Sequence, residues 1–177
     1  MATAEPSTRP QSRPELDHAE LVRRAQLGSA AAFERLVLVF GPDVQRFLSF
    51  RLQNEGDVRD SLQETLVAAW QGLPNLEHPR TLRPWLLGIA AHKAADALRR
   101  RLPAVDAEPD LHGCDDDSVL EIREAILALP THFRDVLLLR YLVQLSEVEV
   151  AEALGLRVGT VKSRSARARQ ALAELLK

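Results

Sequence analysis

Thr160, Ser163, Arg164 and Arg167 stand at i, i+3, i+4 and i+7, a spacing that puts all four side chains on one face of a helix. Hydroxyls and guanidinium groups in such a strip hydrogen-bond base edges and phosphates in the major groove of duplex DNA. Lys162 and Arg169 flank the strip, where they suit phosphate contacts. From Arg157 to Lys177 six basic residues face a single acid, Glu174, in a chain whose net charge is only −2. The positive charge is therefore local, as a nucleic-acid surface requires. Nothing points to covalent chemistry, because the chain has no nucleophile motif and no Gly-rich phosphate cradle. His112 and Cys114 lie beside Asp115, Asp116 and Asp117, but no second Cys/His cluster completes four ligands. Neither a metal nor a cofactor is expected.

The basic strip needs a scaffold, and the preceding residues read as a helix-turn-helix. Ser146 and Glu149 have the spacing of a capping box. Val148, Ala151 and Leu154 form an apolar stripe behind them, and Gly155 follows where a left-handed residue ends one helix and starts the next. The second helix is expected from about Val158 to Leu176, with Val161, Ala168, Leu172 and Leu175 turned inward.

Upstream, the composition favours helices. Apolar residues make up 46% of 177 positions and aromatics only 5%, with Leu and Ala abundant. No apolar run is long enough to span a membrane. One cysteine excludes an internal disulfide, and an intracellular, cytoplasmic protein is expected. Residues 1–14 are Pro- and Ser-rich with no hydrophobic segment and read as a disordered tail.

Residues 15–102 read as a first helical domain. Its expected helices run from Glu15 to Leu27, from a Ser29 cap to Phe40, from Asp43 to Leu52, from Asp57 to Gln71 and from Trp85 to Arg101. Gly41-Pro42 and Asn54-Glu55-Gly56 are the expected breaks, and 72–82 is a Pro-punctuated loop. Residues 103–117 hold six acids, two prolines and no Lys or Arg, the composition of a flexible linker. Residues 118–177 form a second, four-helix domain. It opens on a Ser118/Glu121 capping box and continues through a Thr131–Leu142 helix, with Phe133, Val136, Leu137 and Tyr141 as candidate core. The fold class is all-α, two small helical domains with a helix-turn-helix in the second.

Two helices of the first domain carry further candidates. On the Asp57–Gln71 helix, Val58, Leu62, Leu66 and Ala69 form the buried stripe, leaving Asp60, Gln63, Glu64 and Val67 opposite. That acidic and amide face suits a basic helical partner. On the next helix Gly88, His92, Asp96, Arg99 and Arg100 share a face with Lys93 beside it, a density of cations suited to phosphates. Trp70 and Trp85 read as core.

In order and spacing these segments resemble one family. Asp57, Asp60, Gln63, Glu64 and Trp70 look like the D-x-x-D-x-x-Q-E-x-x-x-x-x-W helix of bacterial RNA polymerase sigma factors, most of all the small extracytoplasmic-function (ECF) group. Trp85, Leu86, Ile89, Ala90, Asp96, Leu98 and Arg99 to Arg101 are similar to a second helix of that group. Leu129-Pro130, Val136 to Tyr141 and Val158 to Arg164 match its C-terminal domain. The resemblance implies core RNA polymerase and promoter DNA as partners. It makes Asp57, Asp60, Gln63 and Glu64 the polymerase-binding set. His92, Lys93, Arg99 and Arg100 would act on the minus-10 element, with Asn75 and His78 in the loop that holds a flipped-out base. Thr160, Lys162, Ser163, Arg164, Arg167 and Arg169 would read the minus-35 element. An anti-sigma factor, which commonly masks both domains in this group, is among the implied partners. His92 departs from the family's usual Asn and Ser165 from its usual Leu. With the match running to Lys177, no further regulatory domain is expected. The alternative function is a stand-alone dimeric helix-turn-helix regulator, which has no use for both an acidic and a basic helix within 57–101.

Overall fold

The computed structural model describes residues 18–100 and 117–177. Four helices precede the segment 101–116: α1 (His18–Gln26), α2 (Ala30–Arg51), α3 (Glu55–Gly72) and α4 (Leu82–Arg100). Four follow it: α5 (Asp117–Ala128), α6 (Thr131–Leu137), α7 (Glu147–Leu154) and α8 (Val158–Leu175). The tail 1–14, nearly all of the linker 103–117, the His112/Cys114 pair and the side chain of Ser118 lie outside the described residues.

Caps fix several boundaries. The Ser29 hydroxyl accepts from the Ala32 N–H, and Asn54 Oδ1 accepts from the Asp57 N–H at 3.2 Å. α3 therefore opens at Glu55, two residues before the expected Asp57, because Asn54 caps the helix rather than breaking the chain. The Gly41-Pro42 break is also corrected, since α2 runs unbroken from Ala30 to Arg51. Pro42 is exposed, so the carbonyl left without its helical N–H faces water. Burial of Leu36, Val44, Phe47 and Leu48 on the opposite side holds both halves of α2 to one core.

The first domain packs α1 to α4 around Val22, Leu36, Phe47, Leu48, Leu52, Leu73 and Leu87, each at most 1% exposed. On α3 the wholly buried positions are Ser61, Thr65 and Ala69, while Val58, Leu62 and Leu66 are half-buried. Trp70, expected in the core, stands partly exposed, its ring edge-to-face with Phe33 and the two centroids 5.1 Å apart.

In the second domain the expected Thr131–Leu142 helix changes character. After Leu137 it widens into a π-turn over Leu138–Leu142, and Gln144 takes a φ of 62°. The wide turn buries Leu138, Leu139, Val143 and Leu145 and throws Tyr141 outward at 47% exposure, which corrects its placement in the core. Val148 is likewise 56% exposed, because α7 buries Val150, Ala151 and Ala153 instead. That face is set by two neighbours, since α7 packs on α4 as well as on α8. On α8, Val161 and Ala168 are buried as expected, but Leu175 lies beyond the last packing partner and is exposed. No helix among the described residues is long and apolar enough to cross a membrane.

Candidate nucleic-acid interface

The scaffold of the basic strip is as its sequence suggests. The Ser146 hydroxyl accepts from the Glu149 N–H at 3.2 Å, and the Ser146 N–H donates to the Glu149 carboxylate at 2.7 Å, a complete capping box. Gly155 sits at φ 62° and ψ 37°, a conformation that costs any other residue strain. α8 then begins at Val158 with Thr160, Ser163, Arg164 and Arg167 along its outer side. Ser163, Arg167 and Arg169 are exposed, and Thr160 and Arg164 are half-buried. Among the described residues Arg164, Arg167 and Arg169 have no acidic partner, whereas Lys162 lies 3.7 Å from Glu147. The Ser163 hydroxyl donates back to the Thr160 carbonyl at 3.1 Å. Ser165 is buried on the inner side with no partner for its hydroxyl.

The candidates of the first domain meet along the line where α3 crosses α4. Asp60, Gln63, Glu64 and Val67 line one shallow groove of about 390 Å³ with Lys93 on its far wall. Asp57, Asp60, Glu64 and Arg100 line an adjoining one. Glu64 belongs to both, and its carboxylate lies 3.5 Å from Lys93 Nζ and 3.2 Å from the Arg100 guanidinium. The expected acidic and basic sets are thus in contact rather than on separate surfaces. Arg99 pairs with Asp96, one turn back on α4. This hydrogen bond is the leading cause that holds the Asp96 carboxyl below the ordinary carboxylate range. His92 is exposed, and its Nδ1 lies 2.7 Å from the Gly88 carbonyl. A carbonyl only accepts, so Nδ1 carries the proton and Nε2 is left facing outward.

Asn75 and His78 are exposed, Asn75 at the end of the short 3-10 turn Leu73–Asn75 and His78 just before a second one, Pro79–Thr81. The His78 carbonyl accepts from the Thr81 hydroxyl at 2.7 Å. Gln26 holds the loop from below, donating to the carbonyls of Leu73 at 3.1 Å and Leu76 at 2.8 Å. Nothing local in the sequence marks Gln26 for this task, because its partners are about fifty positions away. Arg51 and Arg83 were equally unmarked, and both reach across to the second domain.

Two family models match the chain: Sigma-70 region 2 over residues 36–102 and Sigma-70 region 4 over residues 120–172. The ECF RNA polymerase sigma factor SigC of Mycobacterium tuberculosis is 35% identical, with 86% of this chain and 87% of the relative covered. The RNA polymerase sigma factor NccH of Alcaligenes xylosoxydans is 34% identical, with 92% and 96% covered. Among solved structures, CnrH in complex with the cytosolic domain of CnrY superposes with a TM-score of 0.75 at 31% identity, covering 90% of this chain and 96% of that one. RpoE of Bartonella quintana, in complex with the anti-sigma factor NepR, gives 0.68 at 25% identity, covering 81% and 96%. The region 2 match spans the 57–101 block, so a stand-alone dimeric regulator is not favoured. The chain belongs to the extracytoplasmic-function RNA polymerase sigma factors, and it is a transcription initiation factor that directs core polymerase to promoters.

Proposed function

We propose a division of labour within that activity. The α3 face of Asp57, Asp60, Gln63 and Glu64 docks on core polymerase. α4, through His92, Lys93, Arg99 and Arg100, tracks the minus-10 element while Asn75 and His78 in the Gln26-held loop contact an unpaired base. α8 enters the major groove of the minus-35 element, with Arg164 and Arg167 on base edges or phosphates, Thr160 and Ser163 beside them, and Lys162 and Arg169 on flanking phosphates. The protein itself makes and breaks no covalent bond and works in the cytoplasm, where its DNA lies. CnrH and RpoE are found with CnrY and NepR, and an anti-sigma partner for this chain is part of the proposal.

The observation that carries the reading is the outer face of α8, where Arg164, Arg167 and Arg169 lack acidic partners among the described residues and a completed capping box holds the helix before them. Run-off transcription with core polymerase on a genomic promoter library tests it. Promoter-specific transcripts should appear with the protein and fall at least tenfold with the Arg164→Ala/Arg167→Ala variant. Undiminished transcripts with that variant would remove α8 from promoter reading.

A further inference from the structure

The loop between α3 and α4 is held by a helix far from it in sequence. α1 is seated in the core by Leu21, Val22 and Ala25. It stops after Gln26 because Gly28 takes a φ of 89°, and the N–H groups of Leu27, Gly28 and Ser29 bond back to the carbonyls of Arg23, Ala25 and Arg24. That closure fixes the backbone of Gln26. Its half-buried side-chain amide then directs both hydrogens at the loop, 3.1 Å from the Leu73 carbonyl and 2.8 Å from the Leu76 carbonyl. The Leu73 carbonyl also accepts the Leu76 N–H at 3.0 Å, so both of its lone pairs are used. Leu73 and Leu76 are themselves buried. Asn75 stands between these two anchors. It is exposed, and its own side chain has no hydrogen-bond partner among the described residues. The turn is thus fixed on both sides of a polar group left ready for a ligand.

We infer that Gln26 is a positioning residue for promoter selectivity: by clamping the Leu73–Leu76 turn it fixes the aim of Asn75, so that one unpaired base is preferred over the others where this loop meets DNA. The inference rests on the proposed contact of Asn75 and His78 with an unpaired base. An unclamped loop could turn its amide to suit any base, because every base edge offers a donor or an acceptor. Such a loop would also be ordered at the moment of binding, at a cost that falls on all four bases alike. A clamped loop is ordered on folding instead. A base whose edge does not match the fixed amide then leaves polar groups unpaired, and that mismatch separates it from the preferred base. Rigidity of the turn is thus converted into discrimination. Glutamine suits the task, since one neutral amide reaches two carbonyls at once, whereas the similarly long glutamate and methionine side chains have no hydrogen to donate. Packing of α1 does not call for the amide, because Leu21, Val22 and Ala25 already seat the helix.

The test compares base preference rather than affinity. The complex of the full chain with core polymerase is titrated by fluorescence anisotropy against single-stranded minus-10 oligonucleotides. These come from a promoter recovered in the run-off experiment, with each position changed in turn to all four bases. Asn75→Ala identifies the position that the loop reads, as the one where preference is lost. At that position Gln26→Met should lower the ratio between the best and the worst base by about threefold to tenfold, the worth of one hydrogen bond, and leave the ratios at other positions unchanged. Gln26→Glu sets a carboxylate against two carbonyl oxygens. It should lower the ratio at least as far, and it keeps the test decisive should Gln26→Met misfold. In the free protein both variants should speed hydrogen exchange at the Asn75 and Leu76 N–H groups while α2 and α4 exchange as in the parent. Equal loss of affinity for all four bases would make Gln26 a structural residue only and overturn the inference. So would a ratio that survives both Gln26 variants but not Asn75→Ala. If Asn75→Ala alters preference at no position, base contact through Asn75 fails first, and the selectivity assigned to Gln26 fails with it.

Discussion

α8 and α4, the two helices proposed to meet promoter DNA, both carry arginine and lysine, yet they hold their charge differently. On α8 the guanidinium groups of Arg164, Arg167 and Arg169 have no acidic neighbour among the described residues. On α4 every candidate cation is engaged: Lys93 and Arg100 with Glu64, and Arg99 with Asp96. Bare arginines on a helix packed behind the capped α7 are preorganised for a duplex whose phosphates sit at fixed spacing. Cations already paired with carboxylates give up an existing interaction when DNA arrives, so their net gain is smaller. The difference fits the proposed division of labour, in which α8 reads duplex directly and α4 acts only once polymerase has engaged the adjoining α3 face. Glu64 is common to the two surfaces and links them.

The largest effect should separate the two helices outright. Arg167→Ala should weaken binding of the polymerase complex to minus-35 duplex by about 1–3 kcal/mol, the worth of one good arginine contact. Arg99→Ala should cost the minus-10 contact visibly less, because its partner Asp96 is relieved at the same time. Equal losses in parallel fluorescence-anisotropy titrations would erase the contrast between bare and paired cations.

Next comes the support beneath α8. Ser165 buries a hydroxyl with no partner, and alanine is both the better helix former and free of that penalty. Ser165→Ala should raise stability by about 1 kcal/mol, seen as a higher thermal midpoint, with promoter affinity unchanged. A change in affinity would mean that α8 reads DNA through its inner packing as well as through its outer strip.

The smallest effect belongs to the link itself. Glu64→Gln removes one carboxylate from both ion pairs, each partly exposed and so worth well under 1 kcal/mol. It should tighten binding to a single-stranded minus-10 oligonucleotide by about twofold to threefold and weaken core polymerase binding. Tighter binding to both ligands would break the idea that Glu64 serves the two surfaces in turn.

Much of this was legible in the sequence because it is local. Ser146 with Glu149, Gly155, Ser29 and the Thr160–Arg167 strip each declare themselves within a few residues, and local hydrogen bonds fix them. Features that depend on a distant partner were hidden. Val148 and Tyr141 have the right type and spacing for a core, but which face of a short helix is buried depends on what lies against it, and α7 has two neighbours. Gly41-Pro42 carries a strong break signal that packing of α2 overrode. Nothing local in the sequence marks Arg51 or Asp135 as partners, because they lie 84 positions apart. Gly88 read as part of a DNA-facing surface because nothing in its surroundings announces the Ala153 carbonyl of the other domain, 2.5 Å from where a Cβ would stand.

The wide turn at Leu138–Leu142 has a consequence of another kind. It holds one residue more than an α-helical turn would, and that residue sets the angle at which the chain enters the helix-turn-helix. Point changes on its outer side alter only surface, as the exposed Tyr141 indicates. Loss of a single codon would let the turn relax to α-helical geometry and swing everything downstream by about 100°. On its outer side this stretch is free to change in spelling but not in length, and a relative one residue shorter there must aim its second helix by different means.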